Sequence, residues 1–221
     1  MALDAATAGF RASYRVAEIG PRYSGWLHFA FTSSVCLGVV AFCGARLEAV
    51  APLEWLTVPA VFLYANLVEY IGHRGPMHHP LRGMRLLYAR HAKQHHRFFT
   101  HQSMAFEGSR DFKAVLFPPV MILFFIGGFG APMWVLLYLL ASANVAWLAV
   151  ATAVAYYLNY EWLHFAYHCE PSSRIGRLPG LAVLRRLHLH HHDPRLMARH
   201  NFNITYPVGD WLFGSLYHPG T

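Results

Sequence analysis

The sequence predicts an all-α integral membrane fold, with about four membrane-spanning helices and a helical cap on the cytoplasmic side. Three observations predict it. Of the 221 residues 55% are apolar and only 13% charged, too few charges for an ordinary soluble domain. Uncharged runs of 23 residues between Arg22 and Arg46 and of 47 between Lys113 and Glu161 exceed the roughly 20 residues that one span needs, and the second is long enough for two. The basic residues are also unevenly placed. With spans at about 24–45, 50–71, 114–136 and 140–162, 17 of the 18 Lys and Arg residues fall in segments 1–23, 72–113 and 163–221, and only Arg46 falls on the other side. That is the positive-inside pattern, so both termini and segment 72–113 read as cytoplasmic, and the net charge of +7 calls for no nucleic-acid partner.

Each element has its own justification. Residues 1–23 form a short polar lead, and no small-residue cleavage site follows the first apolar run, which reads as an anchor that is retained. The second span has an uncharged core of 14 residues, Trp55 to Val68, containing Pro59; it crosses only if Glu54 sits at the outer interface and Glu69 at the inner one. The turn between the third and fourth spans falls either at the cluster Gly127, Gly128, Gly130 and Pro132 or at Ala141–Asn144, and the later position leaves two spans of comparable length. Pro118 and Pro119 tilt or kink the third span. With no repeat or low-complexity tract, residues 1–221 read as a single domain. Cys36, Cys43 and Cys169 form no CxxC pair and read as structural.

The chemistry lies in the 16 histidines, which are grouped. His73 and His78 follow the second span; His91, His95 and His96 stand in RHAKQHH; His164 and His168 stand in EWLHFAYH; His188, His191 and His192 stand in LHLHHHDP. On a helix, residues three or four apart share a face and can clamp one metal, while the neighbour at i+1 turns toward a second. His91 with His95, His164 with His168, and His188 with His191 or His192 meet that spacing. All four groups, in clusters 73–101 and 164–200, emerge on the cytoplasmic side under a topology placed from charge and hydropathy alone. Ten histidines divide into two sites of about five imidazoles, leaving an open position as a catalytic site requires. Imidazole suits Zn, Cu, Fe and Ni alike, so the ligand type does not choose the metal.

Other residues are read beside this pattern. His28 and His218 read as polar tips at an interface. His79, His101, His190 and His200 lie next to the pattern without fitting its spacing and either ligate, support a ligand or face the substrate. With seven Glu in the chain and only Glu161 with His164 fitting Glu-x-x-His, a ferritin-type carboxylate centre is excluded, and no HExxH supports a zinc protease. Glu69 and Glu161, each one turn before a candidate ligand, are expected to orient an imidazole through its distal nitrogen.

The ordered series H-x4-H, H-x3-HH, H-x3-H and H-x2-HH from His73 to His192, with a hydrophobic hairpin between its halves, resembles the fatty acid hydroxylase and sterol desaturase superfamily of membrane di-iron enzymes. EGSRDFKAVLFPPV at 107–120 resembles the segment after the second histidine group of fatty acid 2-hydroxylases, and NYEWLHFAYHCEP at 159–171 and NFNITYPVGDWLFGS at 201–215 resemble later family segments. Two features depart from the pattern: H-x3-HH stands where many hydroxylases have H-x2-HH, and His190 crowds the last motif. The resemblance implies that two iron ions held by the ten histidines use O2 and external reductant to hydroxylate an unactivated C–H bond of a membrane lipid acyl chain. Zinc is possible in the purified protein, since it competes well for imidazole sites. The resemblance further implies that electrons come from a separate protein such as cytochrome b5 or ferredoxin, because the chain has no room for a fused haem domain. Phe98, Phe99, Trp162, Phe165, Tyr167 and Trp211 are candidates to line the lipid path, and Arg110, with Lys113, to hold a head group. A desaturase, or a sterol or carotenoid hydroxylase, would use the same ligands. A non-oxidative zinc hydrolase and a metal transporter stand as alternatives; transport predicts histidines at midplane depth, whereas the one histidine within a span, His28, stands near its start.

Overall fold

A computed structural model describes residues 4–217 and 219, and these are all helix, turn and loop, with one isolated bridge, Thr100 to Ser103, in place of any strand. His218, expected at an interface, lies outside the described residues. The described chain packs as two compact units: residues 26–65 with 117–161, and residues up to 25 with 66–116 and 162–221. Both are discontinuous in sequence, so no single cut separates them.

The first of these units is built from long apolar helices. Helix α2 (Gly25–Gly44) and the start of α3 (Thr57–Gly72) are followed by α6 (Val120–Phe125), α7 (Ala131–Leu140) and α8 (Ala143–Tyr167). Cys36 and Cys43, two turns apart on α2, are free thiols buried against Val150, Val154 and Leu158 of α8. Ala146 and Ala149 are wholly buried, the small side chains that let helices approach in an apolar medium. At the α7–α8 turn the Glu54 carboxylate accepts from the Ser142 hydroxyl, the Asn144 amide and the Ala51 N–H, so its charge is met by a ring of donors.

Three helical stretches, Gly25–Gly44, Glu54–Met77 and Val120–Leu140, are long and apolar enough to cross a membrane. Large side chains such as Leu123, 72% exposed, and Leu139 and Leu140 stand uncovered by protein, which is a lipid-facing surface rather than a water-facing one. The chain is a membrane protein. Helix α8 is longer, at 25 residues, yet its alanines, tyrosines and asparagines make it less apolar than those three. The third span, expected over 114–136, is displaced: a 3₁₀ turn occupies Ser109–Ala114 and the helix starts only at Val120, because Pro118 and Pro119 cannot donate to a preceding turn. Gly127, Gly128 and Gly130 make a π-helical turn, Ile126–Gly130, instead of a hairpin, and the helix runs on to Leu140. The chain reverses at Ala141 and Ser142.

The second unit holds the histidines. The polar lead contains α1 (Ala5–Ala17), capped by Asp4, whose carboxylate accepts from the Thr7 N–H at 2.9 Å. Tyr14 of α1 packs with Phe98, Phe99, Met104, Ala114 and Val115. The end of α3 runs into a π-helical segment, His73–Met77; after non-helical residues 78–84, α4 (Arg85–Tyr88), a second π segment, Ala89–His95, and α5 (His96–Phe98) run on from one another. Helix α9 (Leu181–His191) starts after Gly180 at φ +77°, and the short α10 (Val208–Leu212) closes the chain.

Helix α10 is tied down by a buried polar network. The Asp210 carboxylate, fully buried, accepts from the Phe202 and Asn203 N–H groups at 2.9 and 2.7 Å and from the Ser215 hydroxyl at 2.6 Å. Gly209 lies so close to Tyr70 that an added Cβ would stand 2.8 Å from the tyrosine Cβ and 2.7 Å from Asn203 Oδ1. The expected outcome for Gly209→Ala is a loss of about 1–3 kcal/mol from overpacking, seen as a lower Tm in detergent. Gly38→Ala on α2, where a Cβ meets nothing within 4 Å, should leave Tm unchanged or raise it.

Candidate metal centre

The two π-helical segments decide which histidines meet. In an α-helix, residues five apart point in different directions, but an i→i+5 turn brings them over one another. His73 and His78 accordingly have Nε2 atoms 3.3 Å apart, and His91 and His96 have theirs 2.9 Å apart. The α-helical spacing rule pairs His91 with His95 instead; here the two rings lie parallel with centroids 5.2 Å apart and turn to different groups. On α9 the α-helical rule holds, with His188 and His192 Nε2 atoms 3.1 Å apart, while His191 turns away to the other group.

Two buried clusters result. His73, His78, His91, His96 and His191 form the first, and His95, His168, His188 and His192 the second, each offering ring nitrogens within 4.8 Å of one another. His164 stands beside the second, its Nε2 3.2 Å from that of His95. The clusters adjoin, with the His96 and His192 ring centroids 4.3 Å apart.

The distal nitrogens explain what this arrangement can do. His95 Nδ1 lies 2.9 Å from the Ala114 carbonyl, His168 Nδ1 2.8 Å from that of Met104, His191 Nδ1 3.0 Å from that of His200 and His192 Nδ1 2.6 Å from that of Phe99. His73 Nδ1 meets the Phe202 carbonyl in the same way. A carbonyl oxygen only accepts, so in each pair Nδ1 carries the proton and Nε2 presents a lone pair. Burial keeps the rings neutral: His95 is pushed down to about 3, His78 to about 2 and His191 to about 4 from the usual 6.5, with neighbouring imidazoles adding to the effect at His78 and His95. The Nε2 atoms of His95 and His192, 3.1 Å apart, therefore share no proton, and two lone pairs facing each other in a dry site repel. A cation between them removes the repulsion, and ligand nitrogens about 2.1 Å from one metal sit about 3 Å from each other. The donor set fits a metal in either cluster.

The remaining candidates are placed as follows. Glu69 accepts from the Ile204 and Thr205 N–H groups and the Thr205 hydroxyl, and Glu161, fully buried, accepts from the Phe117 N–H at 3.3 Å; the His73 distal nitrogen, expected on Glu69, rests on the Phe202 carbonyl. His190 and His200 lie against Tyr217, and His200 Nδ1 meets the Ser215 carbonyl. His79 is exposed and His101 half-buried, outside both clusters. Phe99 packs on the His168 ring, with centroids 4.1 Å apart. Phe98, Phe165 and Tyr167 are buried, the Tyr167 hydroxyl donating to the Ile204 carbonyl. Trp162 and Trp211 are exposed, and Arg110 donates to the Ile19 and Gly20 carbonyls. Sequence reasoning missed Asp210, which holds the Phe202 peptide and through it His73, and Asn203, whose side chain accepts from the Asp210 N–H; their polar types in NFNITYPVGDW were the available signal.

The buried neutral imidazoles make the metal-free protein acid-sensitive. Below pH 6.5 the unfolded chain binds protons that the folded rings, with values near 2 to 4, refuse, so folding stability is full above 6.5 and is lost as pH falls toward 4. Thermal melts of the metal-stripped protein across that range should show a steadily falling Tm. A flat profile would contradict the neutral, buried state.

Comparison with known proteins agrees with this architecture. The fatty acid hydroxylase family profile matches residues 58–215. No curated protein sequence matches the chain. Among solved structures the fold is similar to that titled full-length scs7p, of which only the hydroxylase domain is visible. The TM-score is 0.63 at 21% identity, over 90% of this chain and 68% of that one. The matched segment contains all ten patterned histidines and both clusters, and on that match the chain belongs to the fatty acid hydroxylase family.

Proposed function

We propose that the protein is an O2-dependent hydroxylase that inserts oxygen into an unactivated C–H bond of a lipid acyl chain at a di-iron centre held by the ten patterned histidines. One observation carries the reading: two adjoining, buried clusters of imidazoles, five of which hold their Nδ1 protons on peptide carbonyls and so present Nε2 lone pairs, in a chain of the fatty acid hydroxylase family. Iron bound there supplies the electron transfer to O2 that a saturated carbon cannot provide for itself.

The chain's own contribution is to position, dry and insulate. His73, His78, His91, His96 and His191 hold one metal, and His95, His164, His168, His188 and His192 the other. The Nδ1 protons stay on the carbonyls of Phe99, Met104, Ala114, His200 and Phe202, which fixes ring orientation. Phe99 and Phe202 pack against the rings and keep water out. The acyl substrate arrives from the bilayer, where its tail is already solvated, and the aromatic candidates Phe98, Phe99, Trp162, Phe165, Tyr167 and Trp211 line its approach. Helix α8 completes four spans. The basic excess keeps both termini and the centre on the cytoplasmic face, where a separate protein such as cytochrome b5 or ferredoxin delivers electrons.

Untargeted lipid mass spectrometry on cells expressing the wild type or His95→Ala, grown in air with iron and a matched electron donor, tests the proposal. The expected result is one lipid class gaining a single oxygen atom in the wild type alone, with at least a hundredfold loss of product in the variant and loss of bound metal. Loss of two hydrogens instead would mean desaturation, and no change would overturn an oxidative role.

A further inference from the structure

The carbonyls that hold His168 and His192 come from residues 98–105, which run on from the last residue of α5 and have no regular element beyond it except the isolated Thr100–Ser103 bridge. Neighbouring carbonyls of this stretch serve two different partners. The Phe99 and Met104 carbonyls face His192 and His168. Their neighbours, the carbonyls of Phe98, Ser103 and Ala105, all accept from one side chain, Arg11 of α1, at 2.8, 2.8 and 3.4 Å. The Arg11 guanidinium thus takes the carbonyl just before the one that holds His192 and the two on either side of the one that holds His168.

Arg11 is built into this place. It is only 1% exposed, pairs with Glu107 at 2.7 Å and lies against the Phe98 and Phe99 rings, 5.0 and 5.4 Å from their centroids. One turn on, Arg15 pairs with Asp111, whose carboxylate also accepts from the Glu107 N–H. The first cluster is served by a different stretch: the His200 and Phe202 carbonyls hold His191 and His73, and Asp210 grips the Phe202 and Asn203 N–H groups. Arg11 has no part in that stretch, and it lies outside the residues 58–215 that define the family match.

We propose that Arg11 is a positioning residue dedicated to the second histidine cluster, acting on His168 and His192 through the backbone of residues 98–105, while Asp210 serves the first cluster alone. The inference rests on the metal-binding reading above. Loss of Arg11 takes a charged donor from three carbonyls and lets the peptides carrying the Phe99 and Met104 carbonyls rotate, so the imidazoles lose their orientation. Disturbing such supports of a ligand weakens metal binding by about 10–100-fold.

The test is Co(II) titration of the metal-stripped, detergent-solubilised full chain, followed by its visible absorption. Wild type should take up two Co(II) per chain. Arg11→Met should keep one site unchanged and weaken the other by about 10–100-fold, and Asp210→Asn should weaken the complementary site, with a different residual spectrum. Guanidinium ion added to Arg11→Ala should restore the second site, a rescue that general destabilisation would not show. Asp4→Ala, which removes only the cap of α1, should lower Tm and leave stoichiometry at two. Two unperturbed sites in Arg11→Met, equal weakening of both, or the same residual spectrum in the Arg11 and Asp210 variants would overturn the assignment. A wild type that binds no Co(II) would instead overturn the metal-binding reading itself, and this inference with it.

Discussion

The arrangement depends on where an imidazole N–H can be satisfied once it is buried. A ring that offers Nε2 as a lone pair keeps its proton on Nδ1, and leaving that donor unmet in a dry interior costs about 1–3 kcal/mol. Helical carbonyls are already committed to their own ladder. The helices and π segments can supply the imidazoles, therefore, but the acceptors must come from elsewhere, and the five carbonyls involved lie at the end of α5, the end of the Ser109–Ala114 turn and the irregular stretches around Met104 and at 200–202. These stretches are as much part of the centre as the histidines. Their own spare groups then need partners, which is why buried charge appears at Arg11 and Asp210 in an otherwise weakly charged chain.

The apolar unit answers to a separate constraint. Its helices satisfy their backbone internally and present large aliphatic side chains outward, as a bilayer requires. Where polar groups cluster in it they are paired locally, as with the half-buried Glu54, Ser142 and Asn144 at the α7–α8 turn. Small residues on α8 and thiols on α2 fill the space between helices without introducing charge.

Much of this was legible in the sequence, for reasons that also mark where legibility stops. Hydropathy located the long helices because apolar length is a property of contiguous residues. The four histidine groups were visible because ligands must recur at helical spacing. Pairing within the groups was not, since His91 meets His96 rather than His95 only because residues 89–95 wind as a π-helix, and no composition rule announces an i→i+5 turn. The start of the third span was misjudged because hydropathy ignores the missing donors of Pro118 and Pro119. The polar lead hid Arg11 because a basic residue near a terminus reads as solvated; only Arg11 and Arg15, one turn apart and interleaved with Phe10 and Tyr14, hinted that this face is buried. Glu69 attracted attention by proximity in sequence, whereas the acceptor that His73 uses is the Phe202 backbone carbonyl, a group that every residue has and none advertises.

The central claim is that imidazole nitrogens alone from this chain converge on the metal. X-ray absorption at the metal edge of the purified protein loaded with iron tests it most directly. The account predicts a first shell dominated by nitrogen about 2.1 Å away, with the outer-shell scattering of several histidine rings and a second metal atom nearby. A first shell made of sulfur, or of carboxylate oxygen without imidazole scattering, would contradict it.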